Sequence, residues 1–365
     1  CFFRVAMEGS DNDFFGQSRS VDEYQKLNRL GEGTYGTVYR ALDTESQSVV
    51  ALKKVRFHSD TEGFPRTACR EIRLLFSLSH PHIVELLDVV VGRSLKSVFL
   101  VFEYCEHDVG GLLGQMKRPF GTAEVKTIAQ QLLSAVGYLH DRLIIHRDIK
   151  LPNLLLTNRG EVKLCDFGLA RPISHPPEPY TKHVVTLWYR PPELLFGATT
   201  YDTSVDMWST GCILGELLNH GPLMPGQSEM DQIKRVCELL GTPSVKIWPE
   251  LDTLPLAKKL KLPHCPYNNL RVKFPDVTDG CIDILNRLLA FSPAKRLTAG
   301  QAAAHVFFVE KPSPLATIFM PTFREHRNEG KAPPPAPEGQ GVKRQAEESK
   351  VARVLKKAVR ARVFG

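Results

Sequence analysis

Several absences narrow the class of this chain before any motif is read. No stretch of its 365 residues approaches the ~18 consecutive apolar residues that a membrane-spanning helix needs, so no membrane partner is expected. The eight cysteines, at 1, 69, 105, 165, 212, 237, 265 and 281, include no C-x-x-C pair. That speaks against a zinc site and a disulfide framework, and for reduced thiols in the cytosol or nucleus. The chain opens on Cys1-Phe2-Phe3 without the basic, apolar and cleavage regions of a secretory signal, and Met7 is the expected first residue. No internal repeat is visible. A net positive charge is missing from most of the chain too. The net charge is +7, but eleven Lys/Arg against five Asp/Glu lie in the last 42 residues, from Arg324 onward, which leaves about +1 for everything before them. A basic folded body of the kind nucleic acid requires is therefore not expected, and no direct nucleic-acid partner with it.

What is present centres on His146-Arg147-Asp148-Ile149-Lys150-Leu151-Pro152-Asn153, between an apolar helical run (Ile128, Leu132, Leu133, Val136, Leu139) and the strand-like Leu154-Leu155-Leu156. An acid, a lysine two residues on and an amide five residues on suit moving a proton, holding a phosphate and holding a metal. Asp and Asn are also ordinary turn residues, so the octapeptide needs support from the rest of the chain.

Residues 1–23 mix Phe with Gly, Ser, Asp and Asn and read as an extension. Leu30 then leads into Gly31-Glu32-Gly33-Thr34-Tyr35-Gly36-Thr37-Val38, a G-x-G-x-x-G-x-V followed by β-formers. The glycines are therefore expected at a hairpin whose backbone approaches phosphates, rather than at the helix start of a dinucleotide fold. Val49–Val55 is an apolar run with Lys53 inside it and Lys54 as a lysine for the solvent edge. Pro65 opens a helix through Phe76 with an apolar stripe of Ile72, Leu75, Phe76 and Leu78. Glu71 on it is either the partner of Lys53 or a solvated helix charge. Strands are expected over Ile83–Val91 and Ser97–Phe102. The segment after them is Glu103-Tyr104-Cys105-Glu106-His107-Asp108. Asp108 is placed either for a ribose or to cap the next helix.

Val162–Cys165 reads as a strand and runs into Asp166-Phe167-Gly168. Leu169–Arg190, with Pro176, Pro177 and Pro179, reads as a loop ending in V-V-T-L-W-Y-R-P-P-E. Glu193 is expected to pair with Arg296. Asp206 opens an apolar helix and is placed to bond the catalytic-loop backbone. Further helices are expected at Met230–Leu240, Asp279–Leu289 and Thr298–Ala304. The core should end near Phe308, with 309–330 wrapping the surface and 331–365 a Pro-rich, then basic tail. In that tail Lys343-Arg344 and the run Lys350–Arg362 read as a nuclear-import signal, an amphipathic partner helix or a solvated tail.

Across roughly 24–308 these motifs fall in the order that identifies the chain as resembling the eukaryotic protein kinases: G-E-G-T-Y-G, V-A-L-K, H-R-D-I-K-L-P-N, D-F-G, P-P-E, D-M-W-S-T-G. The resemblance implies an α+β fold of two lobes, a small, mainly β lobe of about 24–105 with one key helix and a larger, mainly helical lobe of about 106–308. P-P-E stands where the family carries A-P-E and keeps the glutamate. Lys150 is similar to the serine/threonine type.

Within that family, D-F-G-L-A-R, V-V-T-L-W-Y-R-P-P-E-L-L and F-P-R-T-A-C-R-E resemble the cyclin-dependent kinases. One member of that group fits further segments (L-G-T-P-S, P-Y-N-N-L, M-P-T-F-R-E-H-R-N), although it carries P-I-S-S-L-R-E where this chain has F-P-R-T-A-C-R-E. The likeness implies ATP, with Lys53 on its α- and β-phosphates and the backbones of Glu103 and Cys105 on its base, Mg²⁺ held by Asp166 with Asn153 sharing a second ion, and a cyclin bound through the Pro65–Glu71 helix. It also implies protein substrates with Ser/Thr-Pro docked at Val184-Val185. Arg70, Arg147 and Arg171 resemble a cluster that gathers a phosphothreonine at Thr181, 15 residues after Asp166. Thr34 and Tyr35 resemble inhibitory phosphorylation sites. A mitogen-activated-type kinase would need T-x-Y where Tyr180-Thr181-Lys182 stands, and a catalytically dead scaffold predicts loss of Lys53, Asp148 or Asp166, all of which are present.

Overall fold

A computed structural model describes residues 19–33, 36–56, 65–92, 97–173 and 185–325. Among them the chain forms two compact units. The first comprises the described residues up to Ser79, Val84–Tyr104 and Glu325; the second comprises His80–Ile83 and Cys105–Arg324.

The first unit is an antiparallel sheet of β1 (Tyr24–Gly33), β2 (Gly36–Asp43), β3 (Val49–Lys54), β4 (Leu86–Val91) and β5 (Val98–Glu103), in the order β1-β2-β3-β5-β4. Alternation sets its inner face: Val50 and Leu52 of β3 point inward with Tyr24, Ala41, Val90, Phe99 and Val101. The same period leaves Lys53 half-buried and Lys54 exposed at the strand end. The glycine stretch closes β1 on β2 with Gly33 opposite Gly36. Gly36 has φ +143°, and a Cβ there would run into the carbonyl oxygen of Lys54, so only glycine suits the position. The unit's helix is α1 (Arg66–Phe76), which buries Ala68, Cys69, Glu71, Ile72 and Leu75 and leaves Arg70 exposed.

The second unit is mainly helical. It contains β6 (His107–Asp108), α2 (Val109–Gln115), α3 (Thr122–His140), β7 (Ile144–Ile145), β8 (Leu154–Leu156), β9 (Val162–Leu164), β10 (Arg171–Pro172), α4 (Pro192–Leu195), α5 (Ser204–Asn219), α6 (Glu229–Leu240), α7 (Leu270–Lys273), α8 (Asp279–Leu288) and α9 (Ala299–Ala303). Start and stop signals are local: Ser228 and Thr278 cap α6 and α8, Gly241 ends α6 at φ +86°, and Thr298 with Gln301 forms a capping box on α9. Helices α3 and α5 are buried along most of their length and carry the core through Ile128, Leu132, Val136, Leu139, Trp208 and Ile213. Arg296 and Glu193 meet inside this unit in a two-pronged pair at 2.6 Å. The α+β expectation holds: a five-stranded sheet with a helix precedes a mainly helical part.

The chain after α9 lies along α3. Lys126, fully buried, donates to the Glu310 carbonyl at 2.7 Å, and the Thr127 hydroxyl donates to the Leu315 carbonyl at 2.9 Å. Beyond them Met320 is buried and the Phe323 ring lies 5.9 Å from His107 and 6.1 Å from Phe120. Among the described residues no helix is long and apolar enough to cross a membrane.

Candidate active site

The first unit contributes a buried ion pair. Lys53 sits opposite Val38 on one side and Leu100 on the other. Its Nζ lies 2.7 Å from Glu71 Oε1, so Glu71 is not a solvated helix charge. Leu30, Gly31, Glu32 and Gly33 end β1, and Val38 lies two residues into β2. Glu103 ends β5, where its side chain accepts the Glu85 N–H at 2.8 Å.

The second unit brings side chains from two segments onto one carboxylate. Lys150 Nζ donates to Asp148 Oδ2 at 2.8 Å, Asn153 Nδ2 donates to the same oxygen at 3.1 Å, and Thr186 Oγ1 donates to Oδ1 at 3.0 Å. Lys150 also reaches the Thr186 hydroxyl at 3.2 Å. Asn153 Nδ2 further bonds the Asp148 carbonyl at 2.8 Å, which turns its amide oxygen away. That oxygen takes no hydrogen bond among the described residues. Asp166, at φ +65°, follows β9, and the Cys165 N–H at its side donates to the Asn153 carbonyl at 3.0 Å. A hard oxygen of Asn153 and the carboxylate of Asp166 suit Mg²⁺, which takes few protein ligands and keeps several waters.

The loop itself is held from α5. Asp206, almost wholly buried, accepts the N–H groups of His146 and Arg147 at 2.9 Å each, and His140 lies 3.0 Å from the same carboxylate. Burial works against its charge, but the hydrogen bonds and positive neighbours outweigh burial and hold its pKa below the ordinary value. The His146 ring accepts the Asp148 N–H on Nδ1, so its proton sits on Nε2, facing the Cys165 carbonyl at 3.1 Å. Arg147, at φ +66°, bonds the Leu169 carbonyl and the Tyr201 hydroxyl. Arg171 bonds the Ala170 carbonyl. Asp108 caps α2 by accepting the Gly111 N–H, and Cys105 is buried.

The stretch after the loop is anchored along its length. Val185 has φ +65°, rare for a β-branched residue, and its carbonyl accepts Arg190 Nε at 3.3 Å and Nη2 at 3.0 Å. Trp188 Nε1 donates to the Gly226 carbonyl at 2.9 Å, and the Tyr189 hydroxyl donates to buried Glu216 at 2.6 Å. Burial pushes the Glu216 carboxyl up, against the Tyr189 hydrogen bond. The expectations for Thr34, Tyr35, Thr181 and Val184 fall outside the described residues. Sequence reading missed Thr186, Arg190 and Tyr189 as members of the site. Their only signal was membership of the T-L-W-Y-R segment, since no local spacing ties them to Asp148.

Comparison with known proteins accords with this geometry. The protein kinase domain model matches residues 24–308. The chain is 52% identical over 340 residues to cyclin-dependent kinase 10 of Rattus norvegicus, spanning 93% of this chain and 95% of that protein. It is 53% identical over 325 residues to cyclin-dependent kinase 10 of Homo sapiens, spanning 89% and 90% of the two. Cyclin-dependent kinase G1 of Arabidopsis thaliana is 49% identical over 332 residues, 87% of this chain but 54% of that longer protein.

Proposed function

Because the chain belongs to the protein kinase family, as a serine/threonine kinase like cyclin-dependent kinase 10, we propose that it transfers the ATP γ-phosphoryl group to Ser or Thr followed by proline. The observation that carries this is the Asp148 carboxylate with Lys150, Asn153 and Thr186 gathered on it. Asp148 orients the substrate hydroxyl and accepts its proton, and Lys150 offsets charge on the group in transfer. Lys53, fixed by Glu71, holds the α- and β-phosphates of ATP under the backbone of Gly31–Gly36, and Leu30 and Val38 flank the base. Glu103 and Cys105 offer it backbone groups, and Asp108 stands by for the ribose. Asn153 and Asp166 are the Mg²⁺ ligands, and the ion when bound neutralises phosphate charge.

Preference for proline follows from Val185. Its carbonyl already accepts two guanidinium hydrogen bonds from Arg190, so it is a poor partner for the N–H of the residue after the acceptor. Proline has no N–H to leave unpaired, and any other residue does. A cyclin partner is implied by the likeness to cyclin-dependent kinases, and it acts through the Pro65–Glu71 helix by holding in place the helix whose Glu71 pairs with Lys53. Thr181, once phosphorylated, gives Arg70, Arg147 and Arg171 a common anion. Thr34 and Tyr35 are inhibitory sites over the phosphates.

The test is phosphorylation of a Ser-Pro peptide and its Ser-Ala twin by the full chain, alone and with a panel of cyclins, with Asp148→Asn as the blank. The expected result is turnover of Ser-Pro with one cyclin and at least about tenfold less of Ser-Ala, the effect of one unpaired N–H. Equal rates on both peptides would remove the proline reading, and equal rates without any cyclin would remove the dependence.

A further inference from the structure

The sequence holds three Ser/Thr-Pro steps, Thr242-Pro243, Ser292-Pro293 and Ser313-Pro314. Two are closed to modification. The Thr242 hydroxyl donates to the Pro263 carbonyl and accepts the Cys265 N–H, and Ser292 is 1% exposed with its hydroxyl 3.3 Å from Glu250. Ser313, by contrast, is exposed, and its hydroxyl has no hydrogen-bond partner among the described residues; the proline after it is half-buried.

We propose that Ser313 is a phosphorylation site modified by a second copy of this chain, an inference that rests on the proline-directed reading above. In the step, Ser313 Oγ attacks the γ-phosphorus of ATP and forms an O–P bond. The bond from that phosphorus to the β–γ bridging oxygen breaks, the hydroxyl proton passes to the Asp148 carboxylate of the acting copy, and ADP leaves.

Geometry within the second unit holds Ser313 away from the copy's own active site. Ser313 is tethered on both sides to the second turn of α3: the Glu310 carbonyl is held by Lys126, and the Leu315 carbonyl by Thr127. The catalytic loop is tied to the other end of α3, because His140 and the His146 N–H share the Asp206 carboxylate. Thirteen residues of helix separate Thr127 from His140, roughly 20 Å at 1.5 Å per residue. A tether of two residues to Leu315 adds no more than about 7 Å of reach. The charge introduced by the phosphate, about −1.5 to −2, would come in beside exposed Lys311 and near the positive end of α3, so the segment has no need to detach to carry it.

The experiment mixes the active full chain, with the cyclin that activates it on the Ser-Pro peptide, with the Asp148→Asn full chain as acceptor in Mg-ATP. Phosphopeptide mapping of the acceptor follows, with the peptide turned over in the same tube. Phosphate is expected on Ser313 of the inactive acceptor, absent in Ser313→Ala and at least about tenfold weaker in Pro314→Ala, as for the peptide pair. In the active chain alone, doubling its concentration should double the rate per molecule. A phosphorylated peptide with Ser313 unmodified overturns the inference and leaves the proline-directed reading standing. Neither phosphorylated overturns both, and a per-molecule rate independent of concentration overturns transfer between copies.

Discussion

Asp206 keeps its charge where burial alone would remove it, because three hydrogen bonds converge on its two oxygens. Two of those donors are consecutive backbone N–H groups of the catalytic loop, and Arg147, the second of them, takes a left-handed φ of +66°. The carboxylate therefore offsets a local strain one residue from Asp148. Asp206→Asn retains one acceptor oxygen and turns an NH₂ toward a backbone N–H. Loss of one charge-assisted hydrogen bond is worth about 1.5–3 kcal/mol, so kcat on the Ser-Pro peptide is expected to fall roughly 10- to 100-fold. KM for ATP should change little, because Lys53 and the glycine hairpin are untouched. An unchanged kcat would show that the loop holds its shape without Asp206. This residue was legible in the sequence as a scaffold for the loop. His140 was not, because it comes from the preceding helix, with only its position as a last-turn residue to mark it.

The segment His80–Ile83 shows what an element adds that its letters do not. It belongs with α3 and β9: Ile83 bridges Leu164, the Leu164 N–H donates to the His82 carbonyl at 2.9 Å, and His82 Nδ1 lies 3.1 Å from the Val162 carbonyl. His80 Nδ1 accepts the His82 N–H, and its ring lies 4.8 Å from Tyr138, over which Arg142 stacks at 3.6 Å. Burial lowers both imidazole pKa values; His82, Arg142 and Lys163 add to the effect at His80, while the Val162 carbonyl and Glu161 oppose it at His82. With folded values below the free value of 6.5, the unfolded chain binds more protons, so stability rises with pH. Their contribution is present above pH 6.5 and is lost as pH falls through the lowered folded values. The unfolding midpoint should drop between about pH 7.5 and about pH 5.5, and the His80→Gln, His82→Asn double variant should flatten that drop. An equally steep drop in the variant would place the titration elsewhere. The strand expected over Ile83–Val91 begins only at Leu86, since Ile83 pairs with β9 instead. Helix α2 was signalled only by Asp108 as an alternative cap, because Gly110 and Gly111 disfavour a helix. It forms on the Asp108 cap, and a side chain at Gly110 would crowd Pro152. Long periodic helices and consecutive motifs were legible; elements fixed by distant partners were not.

At the scale of the whole molecule, charge divides the chain more sharply than hydropathy does. About +6 of the +7 net charge lies in residues 324–365, and the kinase body is close to neutral. A near-neutral body is consistent with the proposed selection of Ser/Thr-Pro beside the Val185 carbonyl held by Arg190, which would not depend on a charged substrate. The basic residues therefore need another purpose, and Lys343-Arg344 followed by Lys350, Arg353, Lys356, Lys357, Arg360 and Arg362 has the spacing of an import signal. Removal of 331–365 is expected to leave peptide phosphorylation within about twofold, since every residue gathered on Asp148 is retained. The same truncation should abolish nuclear accumulation of the fluorescently tagged chain, and Lys343→Ala with Arg344→Ala should weaken it. Unchanged accumulation in the truncated chain would rule out the import role, whereas lost kinase activity with import intact would make the tail part of the enzyme.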